Sequence, residues 1–140
     1  MTTALLGLGS NIEPEEHLLK ASQALRQTFP NISFSNVYQS KAVGMDGADF
    51  FNACCWIDSV PEKDCLLRYL KRIEDEHHRD RSKGSWKPRT LDLDLLMYAN
   101  EVMDDDMYRY AHVFVPASEL VAINLPKDND AIVKQVGLRL

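Results

Sequence analysis

The spacing of apolar positions predicts two amphipathic helices and four strands in the first hundred residues. Residues 14–29 and 62–78 repeat apolar side chains every three or four positions, which is the period of a helix with one buried face. Four shorter segments are rich in β-forming side chains and bounded by turn residues, which favours strands. These segments are residues 3–8, 32–38, 50–57 and 90–98.

The predicted order βαββαβ is typical of a ferredoxin-like α+β fold. In that fold both helices pack on one face of an antiparallel sheet. The apolar face of the second helix is expected to contain Cys65, Leu66, Tyr69, Leu70 and Ile73. A short C-terminal extension with one or two helices after Pro116 completes the single expected domain, residues 1–140. Because this fold serves enzymes, metal carriers and RNA binders alike, function has to be read from side chains.

The composition indicates where in the cell the protein is expected and whether it contains disulfides. No apolar run reaches the roughly 20 residues that a membrane helix needs, and the first residues lack the basic region of a signal peptide. A cytoplasmic protein without a membrane partner is expected. The three cysteines do not form a disulfide pattern. Side chains alternate along a strand, so one of Cys54 and Cys55 is expected to face the core and the other to face outward.

Charge is distributed unevenly along the chain. The net charge of −5 speaks against a nucleic-acid binder. Residues 79–89 nevertheless carry five cations against the single anion Asp80, and six acidic residues follow between positions 92 and 106. A basic segment beside an acidic one suits a metal-bound polyphosphate better than a bare phosphate backbone.

Asp92 and Asp94 interrupt an otherwise apolar strand. With a side-chain period of two, both carboxylates project from one face of the sheet. Two like charges about 7 Å apart on a partly buried face are unfavourable unless a cation lies between them. Mg²⁺ is commonly held by paired carboxylates together with substrate phosphates. The alternative is a pair of aspartates on a solvent-facing sheet surface.

The residues just before this pair have the chemistry of a phosphate site. The planar guanidinium forks of Arg79, Arg81 and Arg89 can bind a polyphosphate in bidentate fashion and stabilise its charge. Trp86 offers a flat surface on which a heterocycle can stack. The alternative is a solvated basic loop that Trp86 anchors to the core.

Three sequence motifs together resemble a known enzyme family. They are S-W-K-P-R-T-L-D-L-D at residues 85–94, G-L-G-S-N at 7–11 and F-F-N-A at 50–53. Over about residues 2–102 the chain is similar to the 6-hydroxymethyl-7,8-dihydropterin pyrophosphokinases of folate biosynthesis. Members are ferredoxin-like enzymes that move pyrophosphate from ATP to a pterin hydroxymethyl group and release AMP. The resemblance therefore implies a diphosphotransferase acting on small molecules.

The resemblance also implies roles for individual residues. Asp92 and Asp94 would bind two Mg²⁺ ions that bridge the ATP phosphates, and Arg79 and Arg89 would be the catalytic arginines. The implied ATP-binding residues are Glu74, Arg79, Arg81, Trp86 and Arg89. The implied pterin-binding residues are Gly9, Ser40, Val43, Phe50, Asn52 and Trp86. A monomer is expected.

The sequence departs from the family pattern on the acceptor side. Ser40-Lys41-Ala42 stands where members carry a Thr-Pro-Pro-like segment. After the fourth strand, D-D-D-M-Y-R-Y-A-H-V-F at residues 104–114 replaces a Pro-His pair and an Arg-x-Phe segment. The candidate substitutes are Arg109, His112 and Phe114. These departures leave open a related pterin as acceptor.

Three other readings of the sequence differ from this one in testable features. A non-catalytic pterin- or nucleotide-binding paralogue would not require the paired aspartates. An RNA-binding domain of this fold needs aromatic and basic side chains on the sheet, where Asp92 and Asp94 would repel phosphate. A metal chaperone needs soft ligands in a loop, and the adjacent Cys54 and Cys55 lie in a strand instead.

Overall fold

The computed structural model describes four stretches of the chain: residues 2–40, 49–77, 91–122 and 133–140. Several sequence predictions therefore lie outside the described residues. They concern Val43, Arg79, Arg81, Trp86 and Arg89.

The strands of the described residues form one sheet in which every pairing is antiparallel. They are β1 (Ala4–Ser10), β2 (Ile32–Phe34), β3 (Val37–Ser40), β4 (Phe50–Ile57), β5 (Asp92–Tyr98), β6 (Glu101–Val102) and β7 (Val133–Val136). Their spatial order is β6-β5-β1-β4-β3-β7, with β2 also paired to β4. The first and last predicted strands thus lie side by side in the centre, and the ferredoxin-like α+β prediction is confirmed.

The second predicted strand is interrupted at Ser35. β2 and β3 both pair with β4, but the backbone between them leaves the ladder. The amide of Ser35 donates to the carbonyl of Cys54 at 2.9 Å, and the amide of Cys54 donates to the Ser35 hydroxyl at 2.8 Å. A side-chain oxygen therefore replaces a main-chain acceptor, which allows the strand to change phase.

Two helices, α1 (Pro14–Thr28) and α2 (Lys63–Glu76), cover one face of the sheet. α1 buries Leu18, Ala21 and Leu25 against the same core that receives Leu66, Leu70 and Ile73 of α2. The prediction for Cys65 was wrong, because its side chain is exposed. It precedes Leu66 by one position and is rotated out of the stripe that repeats at Leu66, Leu70 and Ile73. Among the helices in the described ranges, none is both long and apolar enough to span a membrane.

The opposite face of the sheet is covered at one end by α3 (Asp106–Arg109) and α4 (Ala111–Ser118). Met107 of α3 and Ala117 of α4 form a second apolar cluster with the strand residues Leu5, Cys54 and Leu96. The prediction that one of the paired cysteines faces outward was therefore wrong. Cys54 and Cys55 do point to opposite faces, but both are buried because each face carries helices at that position.

The C-terminal extension also differs from its prediction. Helix α4 precedes and includes Pro116 instead of following it, and β7 adds a strand beside β3. Proline lacks an N–H, so Pro116 cannot donate to the carbonyl one turn earlier. The helix tolerates this because Pro116 and Ala117 are buried, and Ala117 packs with residues of the sheet. Tertiary packing therefore outweighs the local preference for proline at a helix start.

Glu119 connects helix α4 to the N-terminal end of β3. This carboxylate accepts hydrogen bonds from the backbone and side-chain N–H groups of Asn36, both at 3.0 Å, and from the hydroxyl of Tyr38. Partial burial, the hydrogen bond to Glu119 and the charge of that residue raise the pKa of Tyr38 from its ordinary value of 10.0 to about 12.

The raised pKa of Tyr38 predicts that the folded protein loses stability in alkaline solution. The folded protein holds the Tyr38 proton more tightly than the unfolded chain does, so the stabilisation is complete below pH 10 and disappears as the pH rises to about 12. The free energy of unfolding, measured with urea between pH 9 and pH 12, should fall more steeply in the wild type than in Tyr38→Phe. Parallel curves for the two proteins would contradict this assignment.

Candidate functional site

The paired aspartates of β5 lie on the sheet face opposite to α1 and α2. Leu91, Leu93 and Leu95 point into the core beneath those helices, whereas Asp92 is partly exposed and Asp94 is exposed. The predicted alternation along β5 is therefore present in the structure. Two carboxylates that share a face and reach solvent supply the hard oxygen ligands that Mg²⁺ prefers. This donor set fits the metal that the sequence predicts.

A single row of residues crosses four neighbouring strands at the position of Asp92. Asp92 pairs with Gly9, Gly9 pairs with Asn52, and Asn52 pairs with Tyr38. Directly paired residues project from the same face of a sheet, and adjacent strands lie about 4.8 Å apart. Asp92 and Asn52 are two strands apart, so their backbones are separated by roughly 10 Å, with only a glycine between them.

Asn52 is buried, and its amide is held by Ser40. The amide nitrogen donates to the Ser40 hydroxyl at 2.8 Å, which directs the carbonyl oxygen toward Gly9. A Cβ at Gly9 would lie 3.2 Å from that oxygen and 3.9 Å from the ring of Phe50. The structure thus brings four predicted acceptor residues together. They are Gly9, Ser40, Phe50 and Asn52.

This close approach favours glycine at position 9, where the backbone has no positive φ angle that would call for it. Gly9 is buried, and its missing side chain means that no side chain stands between the carboxylates and the Asn52 amide. Tyr38, at the end of the same row, was not among the predicted site residues. The sequence did contain a signal for Tyr38: it lies two residues before the predicted site residue Ser40 on one strand, and such residues share a face.

Burial and nearby negative charge suppress the reactivity of Cys54, which pairs with Gly7 beside Asp94. Burial is the main cause that raises the pKa of the Cys54 thiol, and Cys55, Glu119 and Asp94 add to the shift. Because the thiolate is the reactive form, Cys54 is not a nucleophile at neutral pH. The chemistry of this face therefore rests on oxygen and amide groups.

Glu74, predicted as an ATP-binding residue, lies on the buried side of α2. Its carboxylate accepts a hydrogen bond of 2.8 Å from the backbone amide of Leu93. Leu93 stands between the two aspartates on β5. The contact therefore links α2 to the strand segment that carries both carboxylates.

A second acidic cluster occurs at the start of α3. Asp104, Asp105 and Asp106 place carboxylate oxygens within 4.8 Å of one another. Asp104 accepts a hydrogen bond from the amide of Asp106 at 3.0 Å, and Asp105 forms an ion pair with Arg109 at 3.0 Å. These contacts account for two of the three side chains as parts of a local turn. The cluster is nevertheless the natural competitor of Asp92 and Asp94 for a cation.

The three candidate substitutes in residues 104–114 have different environments. Phe114 is buried against Ala111 and Val133, with Tyr38 packed beside them. Arg109 is engaged with Asp105, and its side chain is largely exposed. His112 stacks on Tyr110 with ring centroids 5.4 Å apart, and burial lowers its pKa, so it is neutral at physiological pH. Of these three residues, Phe114 is part of the apolar core.

Comparison with known proteins gives a consistent match. The family model described as 7,8-dihydro-6-hydroxymethylpterin-pyrophosphokinase matches residues 5–122. The chain is 36% identical to the 2-amino-4-hydroxy-6-hydroxymethyldihydropteridine pyrophosphokinase of Haemophilus influenzae over 97% of its own length and 91% of the relative. It is 34% identical to the enzyme of that name from Pseudomonas putida, over 81% of its own length and 97% of the relative. The Aquifex aeolicus protein of that name is 32% identical, over 82% of this chain and 72% of the relative.

Proposed function

Because the chain belongs to the 7,8-dihydro-6-hydroxymethylpterin-pyrophosphokinase family, we propose that it transfers pyrophosphate from ATP to 6-hydroxymethyl-7,8-dihydropterin. The reaction joins the hydroxymethyl oxygen of the pterin to the β-phosphorus of ATP. The bond between that phosphorus and the oxygen bridging to the α-phosphorus breaks, AMP leaves with the bridging oxygen, and the hydroxyl proton passes to the medium. The product is a pterin diphosphate for folate biosynthesis.

The row from Asp92 through Gly9 to Asn52 is the observation that carries this proposal. It places hard carboxylate ligands and a buried amide on one sheet face, roughly 10 Å apart, with only the buried Gly9 between them. Such a surface can hold a phosphate donor at one end and a flat heterocyclic acceptor at the other. Bringing two substrates together in the correct geometry supplies much of the rate enhancement of phosphoryl transfer.

The donor end is formed by Asp92 and Asp94. In the proposed function these carboxylates hold two Mg²⁺ ions, which neutralise the charge on the phosphate oxygens when bound. The strand fixes both carboxylates on the same face, so their separation is set before ATP arrives. Arg79, Arg81 and Arg89 contact the triphosphate in this proposal, with Arg79 and Arg89 as the catalytic pair.

The acceptor end is formed around Asn52. An amide offers both a donor and an acceptor, which matches the mixed hydrogen-bonding edge of a pterin ring. Ser40 fixes the orientation of this amide, and Phe50 provides an apolar surface beside Gly9. In the proposal Val43 and Trp86 also line the acceptor pocket, and Trp86 contacts ATP as well. The protein would act as a cytoplasmic monomer.

Gly9→Ala is expected to weaken acceptor binding about tenfold, which corresponds to about 1.4 kcal/mol. The new Cβ would lie 3.2 Å from the Asn52 carbonyl oxygen and would displace the amide from its position. The matched control is Gly137→Ala, because a Cβ at Gly137 meets nothing within 4 Å. Pterin binding can be measured by fluorescence titration. Equal affinity in both variants would refute the close-approach role of Gly9.

Product analysis tests the proposed reaction. The protein is incubated with Mg-ATP and 6-hydroxymethyl-7,8-dihydropterin, and the products are separated by chromatography and identified by phosphorus NMR. AMP and a pterin diphosphate in equal amounts are expected. ADP with a pterin monophosphate, or no transfer at all, would overturn the proposal. AMP formed only with a different pterin would retain the donor half and replace the acceptor.

A further inference from the structure

Glu74 occupies a position on α2 where an apolar side chain would normally stand. It continues the buried stripe of Leu66, Leu70 and Ile73, and it is only 6% exposed. Removing a carboxylate from water is unfavourable unless hydrogen bonds replace its hydration. A buried carboxyl group in an apolar stripe therefore needs a specific structural or functional reason.

The hydrogen bond to Leu93 supplies that reason. Beyond β5 the sheet continues only with β6 in the described part of the chain, and β6 pairs with Met97 and Tyr98. Leu93 comes earlier on β5, outside the segment that pairs with β6. Its amide donates to the Glu74 carboxyl oxygen at 2.8 Å, and this hydrogen bond is buried.

The direction of this bond also fixes the two flanking residues. Amide groups in an antiparallel strand point alternately to the two sides. The Leu93 amide points away from β1 to Glu74, so those of Asp92 and Asp94 point toward β1, where they are paired with Gly9 and Gly7. Three consecutive residues are thus held from both sides.

We propose that Glu74 is a positioning residue that holds the Leu93 backbone so that Asp92 and Asp94 keep a spacing suited to a divalent cation pair. This inference rests on the proposed function of the two aspartates. Glu74 acts through the strand and does not touch the nucleotide. Carboxylate separation matters because Mg²⁺ demands nearly ideal ligand geometry.

Three variants separate this role from direct contact with ATP. Glu74→Leu removes the acceptor and suits the apolar stripe. Glu74→Gln removes the charge but keeps an oxygen that can accept from the Leu93 amide. Glu76→Gln is the matched control on the same helix, since Glu76 is exposed and lies 4.0 Å from Arg72.

The test has two readouts that do not require turnover. The first is hydrogen exchange of the Leu93 amide followed by NMR, with the Asp94 amide as internal reference. The second is the Mg²⁺ concentration that gives half-maximal binding of α,β-methylene ATP, an analogue in which the scissile oxygen is replaced. We expect Glu74→Leu to accelerate Leu93 exchange at least tenfold and to raise the Mg²⁺ requirement about tenfold. Glu74→Gln and Glu76→Gln should stay within about threefold of the wild type.

Each other result overturns the proposal in a recognisable way. An unchanged Mg²⁺ requirement in Glu74→Leu would mean that the hydrogen bond does not position the aspartates. A rise in the Mg²⁺ requirement of Glu74→Gln beyond about threefold relative to the wild type would mean that the charge itself acts on the ligand, and this comparison holds even if the leucine variant fails to fold. Binding of the analogue by the wild type without any need for Mg²⁺ would overturn the proposed function together with this inference.

Discussion

Asp94→Ala should lower kcat by roughly 1,000-fold, equivalent to about 4 kcal/mol of activation free energy. The side chain is exposed at the proposed donor end of the site and shares its sheet face with Asp92. Without it one ligand of the proposed cation pair is lost, and the negative charge of the phosphates is less well neutralised. The fold should persist, since the substitution removes a solvent-exposed carboxylate from a central strand.

Asp105→Ala is the control for this variant. Asp105 is also exposed and belongs to the competing acidic cluster, where it pairs with Arg109. Its removal should leave kcat within about twofold of the wild type. Steady-state AMP release at saturating Mg-ATP, with circular dichroism to check folding, makes the comparison. Full activity in Asp94→Ala together with inactivity in Asp105→Ala would move the metal site to the start of α3.

Asn52→Ala should lower kcat/KM for the pterin by about 100- to 1,000-fold and leave the affinity for Mg-ATP unchanged. The amide is buried, and its orientation is set by Ser40. A site built to hydrogen-bond a substrate edge discriminates strongly, because groups left unpaired in a buried pocket are costly. Ser40→Ala should produce a smaller loss, since the amide remains but can rotate.

Asn31→Ala provides the matched control for Asn52→Ala. Asn31 is exposed, and the bond it accepts from the amide of Asp58 uses its backbone carbonyl, which the substitution retains. Initial rates over a range of pterin concentrations, combined with titration of an ATP analogue, separate the two substrates. A loss of ATP affinity in Asn52→Ala equal to the loss for pterin would contradict the division of the site into two ends.

The arrangement of Asp92 and Asp94 could be predicted from the sequence because it depends on local geometry. A strand places alternate residues on the same face regardless of what surrounds it. The alternating leucines at 91, 93 and 95 also indicated which face would be buried, and the structure agrees. Helix α2 was predicted for the same reason, since its period of apolar residues is visible within one segment.

The alignment of Asp92, Gly9 and Asn52 could not be predicted from local pattern. It depends on the register between β1, β4 and β5, which come from distant parts of the chain. A shift of one residue would turn Gly9 to the other face. The resemblance to a known family, carried by motifs, placed Gly9 and Asn52 in one pocket.

The covered second face was missed because its cause lies far along the chain. Cys54 alternates with Cys55 as expected, but α3 and α4 bury it by packing from residues more than 50 positions away. Strand β7 was missed for a related reason: only four residues long, it is stabilised by pairing with β3. For Glu74 a signal did exist, because it is a carboxylate in line with the apolar stripe of α2.

Locating the bound metal by paramagnetic NMR tests the central claim most directly. Mn²⁺ replaces Mg²⁺ in the presence of α,β-methylene ATP, and amide signals near the ion are broadened. Manganese is suitable because it also prefers oxygen ligands. The predicted result is broadening of the amide signals of Gly9 and of the first residues of β5, with the Gly137 signal unaffected. Broadening centred on Asp104, Asp105 and Asp106 instead would contradict the assignment of Asp92 and Asp94 as the metal ligands.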